Sequence, residues 1–518
     1  MRTRYVKEWE MMLRRVGIGS VTVALAVAVL LLKPAPGGTA DSLPAITNVQ
    51  VNQTANVTFP HNGQNQPTIA QNPTNALNLI AASNDELAPN GQGTGFYASH
   101  DGGHTWPCQG YIDLSPFGKV TFGDAWQTFD GAGNAYLSTI ALPLIGPGER
   151  LRFDTADIFV AKSTDGGCTY PTVSKVASNS QNISDDKPAI AADTNPGSPH
   201  ANNLYVAWTQ YKDAARGADE DSKVQVVVAR SSDGGATWSK PVGLSAETRA
   251  VYPGIPPRQG ANVKVGPDGT VYVTWADTID GLFVQRIAMS KDGGKKFSDP
   301  ITVAPIMDEF SFPGGATFRQ LGRVLPSFSI SPEGSLYLAW AERQLGHTSV
   351  VLTKSTDKGA SWSHPAVVAD VPGRSAFFVA VAAAPSNAVD VAFLAMDDRS
   401  DETAPGAGVV SYDAYVTQSL NGGSSFGAPF KISTASSDPD VSSSHSLAVQ
   451  FLGDYIAAVA DASHLYVVWT DTRNGATCAA VDAFRLQVLT TGTGTPPSLA
   501  DCPSGFGNAD IYLGTVTP

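Results

Sequence analysis

One hydrophobic pattern recurs along the chain. LYVAW (Leu204–Trp208), VYVTW (Val271–Trp275), LYLAW (Leu336–Trp340) and LYVVW (Leu465–Trp469) each alternate aromatic and aliphatic side chains. None carries the apolar stripe of a helix, so all four predict strands. Weaker copies are LNLIAAS from Leu77, AYLST from Ala135 and VDVAF from Val389. A second apolar strand precedes most copies and reaches them through a turn. Examples are PTIAQNPTN from Pro67, PAIAADTNPGS from Pro188, ANVKVGPDG from Ala261 and SFSISPEG from Ser327.

A polar motif runs in phase with these strands. SSDGGATW at Ser231 has relatives at Ser99 (SHDGGHTW), Ser163 (STDGGCTY), Ser290 (SKDGGKKF), Ser355 (STDKGASW) and Ser419 (SLNGGSSF). Successive copies are 64, 68, 59, 65 and 64 residues apart. A period of this size marks a repeat architecture. Each unit reads strand, turn, aromatic strand, loop, strand, SxDGGxxW turn, strand. That is a four-stranded antiparallel blade, and radially packed blades form an all-β propeller. A sandwich does not account for the period. Seven strand pairs are counted, the last in GDYIAAVADASHLYVVWTDTR from Gly453; six blades is the alternative. The tail ADIYLGTVTP resembles ADIFVAKSTD from Ala156, the third strand of the second blade. The last blade therefore needs a fourth strand, and Ile46–Gln53 is the candidate that closes the ring without a free edge.

Strand direction then separates two faces. All six SxDGGxxW turns join third to fourth strands on the bottom. Residues before first strands and after second strands lie on top. The top loops 141–155, 209–223, 304–323 and 397–411 are long and varied, as functional loops on a rigid scaffold are. In the turns, Asp accepts backbone N–H bonds, Ser does likewise, and Gly permits positive φ. Every motif residue thus has a structural use, and six equivalent sites would be redundant for catalysis.

Length and composition fit this picture. The 518 residues exceed one ordinary core, and 50 Gly, 35 Pro and a 16% charged fraction favour short strands. A net charge of -13 argues against nucleic acid as a partner. Arg2, Arg4, Lys7, Arg14 and Arg15 precede the apolar run Val16–Leu32, with small residues Gly38-Thr39-Ala40 beyond it. Residues 1–40 read as a signal peptide, with an uncleaved anchor as the alternative. Residues 41–64 form an N-terminal segment carrying the ring-closing strand, and 65–518 form the propeller. The expected location is secreted, or anchored at the outer membrane face through the N-terminus alone. Four cysteines in an exported chain predict two disulfides, Cys478 with Cys502 across one long loop and Cys108 with Cys168 between repeats. No CxxC or His-rich cluster suggests zinc. The run Asp219-Glu220-Asp221 reads as solvated, with calcium as the alternative. No metal or cofactor is expected, nor an oligomer.

The turns resemble the Asp-box, or BNR, repeats of sialidase-like propellers. Asp101, Asp165, Asp233, Asp292 and Asp357 match the motif's acid, and Asn421 replaces it in the sixth copy. The resemblance spans about residue 65 to the C-terminus. It implies an exo-alpha-sialidase type of glycoside hydrolase, with three arginines on the substrate carboxylate, a Tyr–Glu nucleophile pair and an Asp acid/base. Guanidinium forks suit a carboxylate, and a neutral phenol suits attack beside an anionic sugar. The family's Arg-Ile-Pro motif is absent, and no Arg occurs between Arg15 and Arg150.

Residue type and face nominate the candidates. Asp124, Asp186, Lys187, Arg258, Arg323, Arg374, Asp454 and Tyr455 precede first strands. Asp277, Glu342, Arg343, Asp397, Asp398, Arg399, Asp471 and Arg473 follow second strands. For a sialidase-like hydrolase, Tyr455 is the nucleophile, Glu342 its base and Asp124 the acid/base. Arg258, Arg323, Arg473 and Asp471 bind substrate. The competing structural reading pairs Asp471 with Arg473, and assigns Trp208, Trp275, Trp340 and Trp469 to inter-blade packing. Two functions follow: a hydrolase of extracellular glycans or glycoproteins, or a non-catalytic propeller binding glycan or protein through its top face.

Overall fold

Seven separate sheets form from these strands. The computed structural model describes residues 44–517, apart from 54–56, 89–92, 145–154, 178, 180–181, 213–221, 250–257, 308–324, 345–346 and 398–410. Blade 4 shows the plan: Gln259–Val265, Val271–Ile279, Leu282–Ser290 and Ile301–Pro305 pair antiparallel in chain order. Blade 7 departs from it. There Ala457–Ala460, Leu465–Asp471 and Asp510–Thr517 pair in order, and Ala45–Gln50 adds antiparallel as the outer strand. The ring therefore has seven blades and closes through the N-terminal strand. The compact unit runs Pro44–Pro518, so residues 44–64 belong to the propeller.

The four tryptophans of the aromatic strands are fully buried. Each packs on the preceding blade: Trp208 with Ile140 and Val160, Trp275 with Ala207 and Val226. Trp340 joins Ile287 and Ala304, and Trp469 joins Leu394 and Met396. A large flat side chain between twisted sheets removes apolar area from water on both of its faces.

The SxDGGxxW turns adopt one geometry. Ser231 Oγ donates to Asp233 Oδ1 at 2.7 Å and accepts from Gly235 N at 2.9 Å. Asp233 Oδ1 accepts from Thr237 N at 2.9 Å. Trp238 Nε1 then donates to Ser174 Oγ in the outer strand of blade 2. Asn421 supports the sixth turn in the same way, accepting from Ser425 N at 2.9 Å. Ser231 pairs with Leu204, whereas Thr209, five residues on, pairs with Asp186. The turns and the candidate site thus occupy opposite ends of the strands.

Two features depart from the strand pattern. The loop between Cys478 and Cys502 contains a helix, Ala479–Thr491. Val481, Phe484 and Arg485 form its buried side, too short a stripe to stand out in the sequence. Arg485 donates to the carbonyls of Leu447, Asp440 and Ser442, tying the helix to the loop before blade 7. The Cys478–Cys502 disulfide staples this insertion, and Cys108–Cys168 joins blades 1 and 2. Second, first strands kink at their top ends. Gln66, Asp124, Lys187, Arg258 and Phe378 all have positive φ, between 48° and 66°. Bulges lie at 65/68, 186/189, 259/262 and 377/380. A bulge re-aims side chains, and positive φ in non-glycine residues is costly, so this is where the scaffold invests strain.

Candidate functional site

The kinked ends of the first strands surround the axial mouth. Asp124, Trp126, Lys187, Asn262, Phe378, Asp454 and Tyr455 line it. Asp186 and Lys187 lie inside the strand Ile183–Ala192, at its bulge, not ahead of it. Gly453 makes the approach of blade 7 to blade 1 feasible. Its φ is 90°, and a Cβ there would lie 2.8 Å from Gln66 N.

Polar side chains link the blades around this mouth. Lys187 Nζ donates to Asp454 Oδ2 at 2.7 Å and lies 3.5 Å from Asp124 Oδ1. Gln66 Nε2 donates to the same Asp454 oxygen at 2.8 Å. Asn84 Nδ2 donates to Gln66 Oε1, and Asn84 Oδ1 accepts from Asp124 N at 2.8 Å. Blades 1, 2, 3 and 7 are joined in one collar. Asp454 and Lys187 are almost wholly buried, and such charges need partners of this kind.

Tyr455 stands at the collar's edge. Its hydroxyl donates to Asp124 Oδ1 at 3.3 Å. Its ring lies 5.7 Å from that of Trp126 and 5.5 Å from Lys187 Nζ. Burial, and then the carboxylates of Asp124 and Asp454, push the phenol well above its usual range. Tyr455 is a neutral donor beside the Asp124 carboxylate.

The other candidates lie elsewhere. Glu342, assigned on sequence as the partner of Tyr455, is 2% exposed in the second strand of blade 5. It accepts from Trp340 Nε1 at 2.9 Å and from Met307 N at 3.3 Å. The carboxylate beside Tyr455 is that of Asp124. Asp277 and Asp471 hold Trp275 and Trp469 in the same way, at 3.1 and 2.9 Å. The recurring Trp-x-Asp/Glu is an indole clamp: alternate residues of a strand share one face. Arg258 donates to Val224 O and Thr248 Oγ1, and lies 3.5 Å from Asp277. Arg473 grips Asp471 through Nε and Nη2 and stacks on Tyr512 at 4.1 Å. Arg374 is held by Asp397 and Asp413. These arginines are held by partners within and between blades, Arg258 bridging to Val224 and Thr248 of blade 3, and are not among the groups lining the mouth. Arg323, Asp398, Arg399 and Asp219-Glu220-Asp221 lie outside the described residues, as do most of the long top loops and the whole N-terminal apolar run.

Gln66 and Asn84 are the collar members that sequence reasoning missed. Neutral amides carry no chemical signature, and a positive φ at Gln66 has no glycine to announce it. The repeated Gly-Asp of GDAW and GDYI was the available signal, since it places Asp124 and Asp454 equivalently.

No protein-family model and no curated protein matches the chain. Solved structures do match in fold. A protein of unknown function from Dyadobacter fermentans is 13% identical over 92% of this chain and 100% of that one, with a TM-score of 0.43. The Hadza microbial sialidase Hz136 is 15% identical over 73% of this chain and 71% of its own, at 0.41. A polysaccharide lyase, an ulvan lyase of family PL25, is 11% identical over 80% of this chain and 92% of its own, at 0.43. The chemistry is therefore read from the site itself.

Proposed function

We propose that the axial mouth is a glycoside hydrolase site for extracellular glycans. The contact of the Tyr455 hydroxyl with Asp124 carries this reading. Tyr455 attacks the anomeric carbon and passes its proton to Asp124, which delivers it to the departing sugar oxygen. Water then cleaves the tyrosyl glycoside by the reverse path. Lys187, close to the Tyr455 ring, stabilises the phenolate that develops. Trp126 offers a flat apolar wall to a sugar ring.

The charge balance favours neutral sugars over sialylated ones. Among the described lining residues Lys187 is the sole cation, and Asp124 and Asp454 already engage it. The two disulfides support action in an oxidising compartment.

The test is a panel of fluorogenic neutral glycosides and sialosides. Turnover of a neutral member is expected, with kcat reduced about 100-fold or more in Tyr455→Phe and in Asp124→Asn, the scale of a lost acid–base or nucleophilic group. A folded protein that turns over no member, yet binds on a glycan array, would establish the second reading, a glycan-binding propeller. Turnover unaffected by both substitutions would move the chemistry away from the mouth.

A further inference from the structure

Below the mouth the axis opens into a channel lined by the first strands of all seven blades. Its cavity measures about 310 Å³. Most of the wall is Ala, Ile, Val and Phe, with Gln71, Gln127, Thr128, Thr194 and Asn262 among the polar groups. Lys264 is the one charged side chain among the described lining residues. No acid is among the described lining residues of the channel, whereas the mouth above carries Asp124 and Asp454.

Lys264 makes no hydrogen bond or ion pair with any described residue. Burial in the channel disfavours an isolated ammonium there. Protein surrounds it, and burial alone lowers its pKa. Water still reaches it along the channel, so its side chain is only partly inaccessible. Two residues lining the same cavity also carry buried polar atoms without partners, Gln127 Nε2 and Asn262 Oδ1. Their residues are 4% and 5% exposed. Gln127 Oε1 is fixed by the Thr68 hydroxyl at 2.9 Å, which leaves Nε2 as the free donor. Buried donors of this kind are normally satisfied.

We propose that the channel is a binding site for a small oxyanion, held by Lys264 with Gln127 as a second donor. Asn262, whose amide can present either end, completes the polar lining. The ligand class is a phosphate-like or carboxylate ion, sharing compact negative oxygens. Such an ion would neutralise Lys264 without adding a protein carboxylate to the channel wall.

Calorimetric titration of the full chain with inorganic phosphate, and separately with acetate, tests this at ionic strength fixed with sodium chloride. Saturable binding of one ion per chain is expected for at least one of the two, and the arms distinguish tetrahedral from planar oxyanions. Lys264→Met, checked by circular dichroism and melting, should weaken that binding at least 10-fold, and Gln127→Leu several-fold. If the Lys264 variant does not fold, wild-type crystals soaked in selenate decide, with an anomalous peak expected beside Lys264 Nζ. Absence of binding of both ions or equal binding by Lys264→Met would overturn the assignment, as would, where phosphate binds, a selenate-soaked crystal without that peak.

Discussion

At the scale of single residues, chemistry and scaffolding use the same side chains in different settings. Glu342 and Asp124 are both carboxylates on the top half of the ring. Glu342 is sealed against Trp340, and Asp124 borders an open mouth beside Tyr455. Residue type and face nominated both, because neither reveals what a side chain meets across a blade. The two separate by experiment. Glu342→Gln should leave glycoside turnover within about twofold and lower stability by about 1 kcal/mol, the net worth of one buried hydrogen bond. Urea unfolding and the fluorogenic assay together read this out. Trp275→Ala should cost more, about 3–5 kcal/mol, since it empties an inter-blade slot. A melting temperature unchanged in Trp275→Ala would refute the packing role.

At the scale of the element, the SxDGGxxW turn is a self-contained hydrogen-bonded unit. Its parts were fully legible, because Ser, Asp and two glycines act within a few residues of each other. The hydrogen bond from the Thr237 hydroxyl leads in holding Asp233 at about 2, and Ser361 does so for Asp357, also at about 2. Both acids are depressed in the folded state, so their stabilisation is present above the unfolded carboxyl range near pH 4. It is lost as pH falls from about 4 towards 2. The double variant Asp233→Asn, Asp357→Asn should therefore lose less of its urea midpoint between pH 4 and pH 2 than wild type. Both side chains are largely exposed, so the difference should be small. Parallel acid-induced losses would show that these turns are not the source. The helix Ala479–Thr491 was illegible for the opposite reason: its order depends on Arg485 reaching carbonyls 38 to 45 residues away.

At the scale of the whole molecule, repetition made the ring readable, and asymmetry hid the site. Period, blade plan and the closing strand followed from copies of one pattern. The collar comes from what differs between blades: Gln66 in one, Asp124 in the next, Lys187 in the third, Asp454 in the last. Those residues meet only because the ring brings blade 7 beside blade 1. Removing residues up to Gln50 would strip the outer strand from blade 7 and uncover the edge of Asp510–Thr517. Such a protein should melt earlier and self-associate on size exclusion, as exposed edges do. It should also lose glycoside turnover, because Asp454 and Tyr455 hang from that blade. A monomeric, fully active truncation would contradict the closure.

The closing strand also bears on the order in which the molecule forms. Most blades pair only neighbouring segments, so their hairpins can assemble as soon as each is available. Asn52, by contrast, bonds Asp510 across 458 residues. Contacts so distant in the chain pay their loop-closure entropy late and slow the overall rate. The first strand made is thus the last strand placed. Until Asp510–Thr517 is available, Ala45–Gln50 has no partner strand. The strand that completes the circle belongs to the same blade that brings Tyr455 to Asp124.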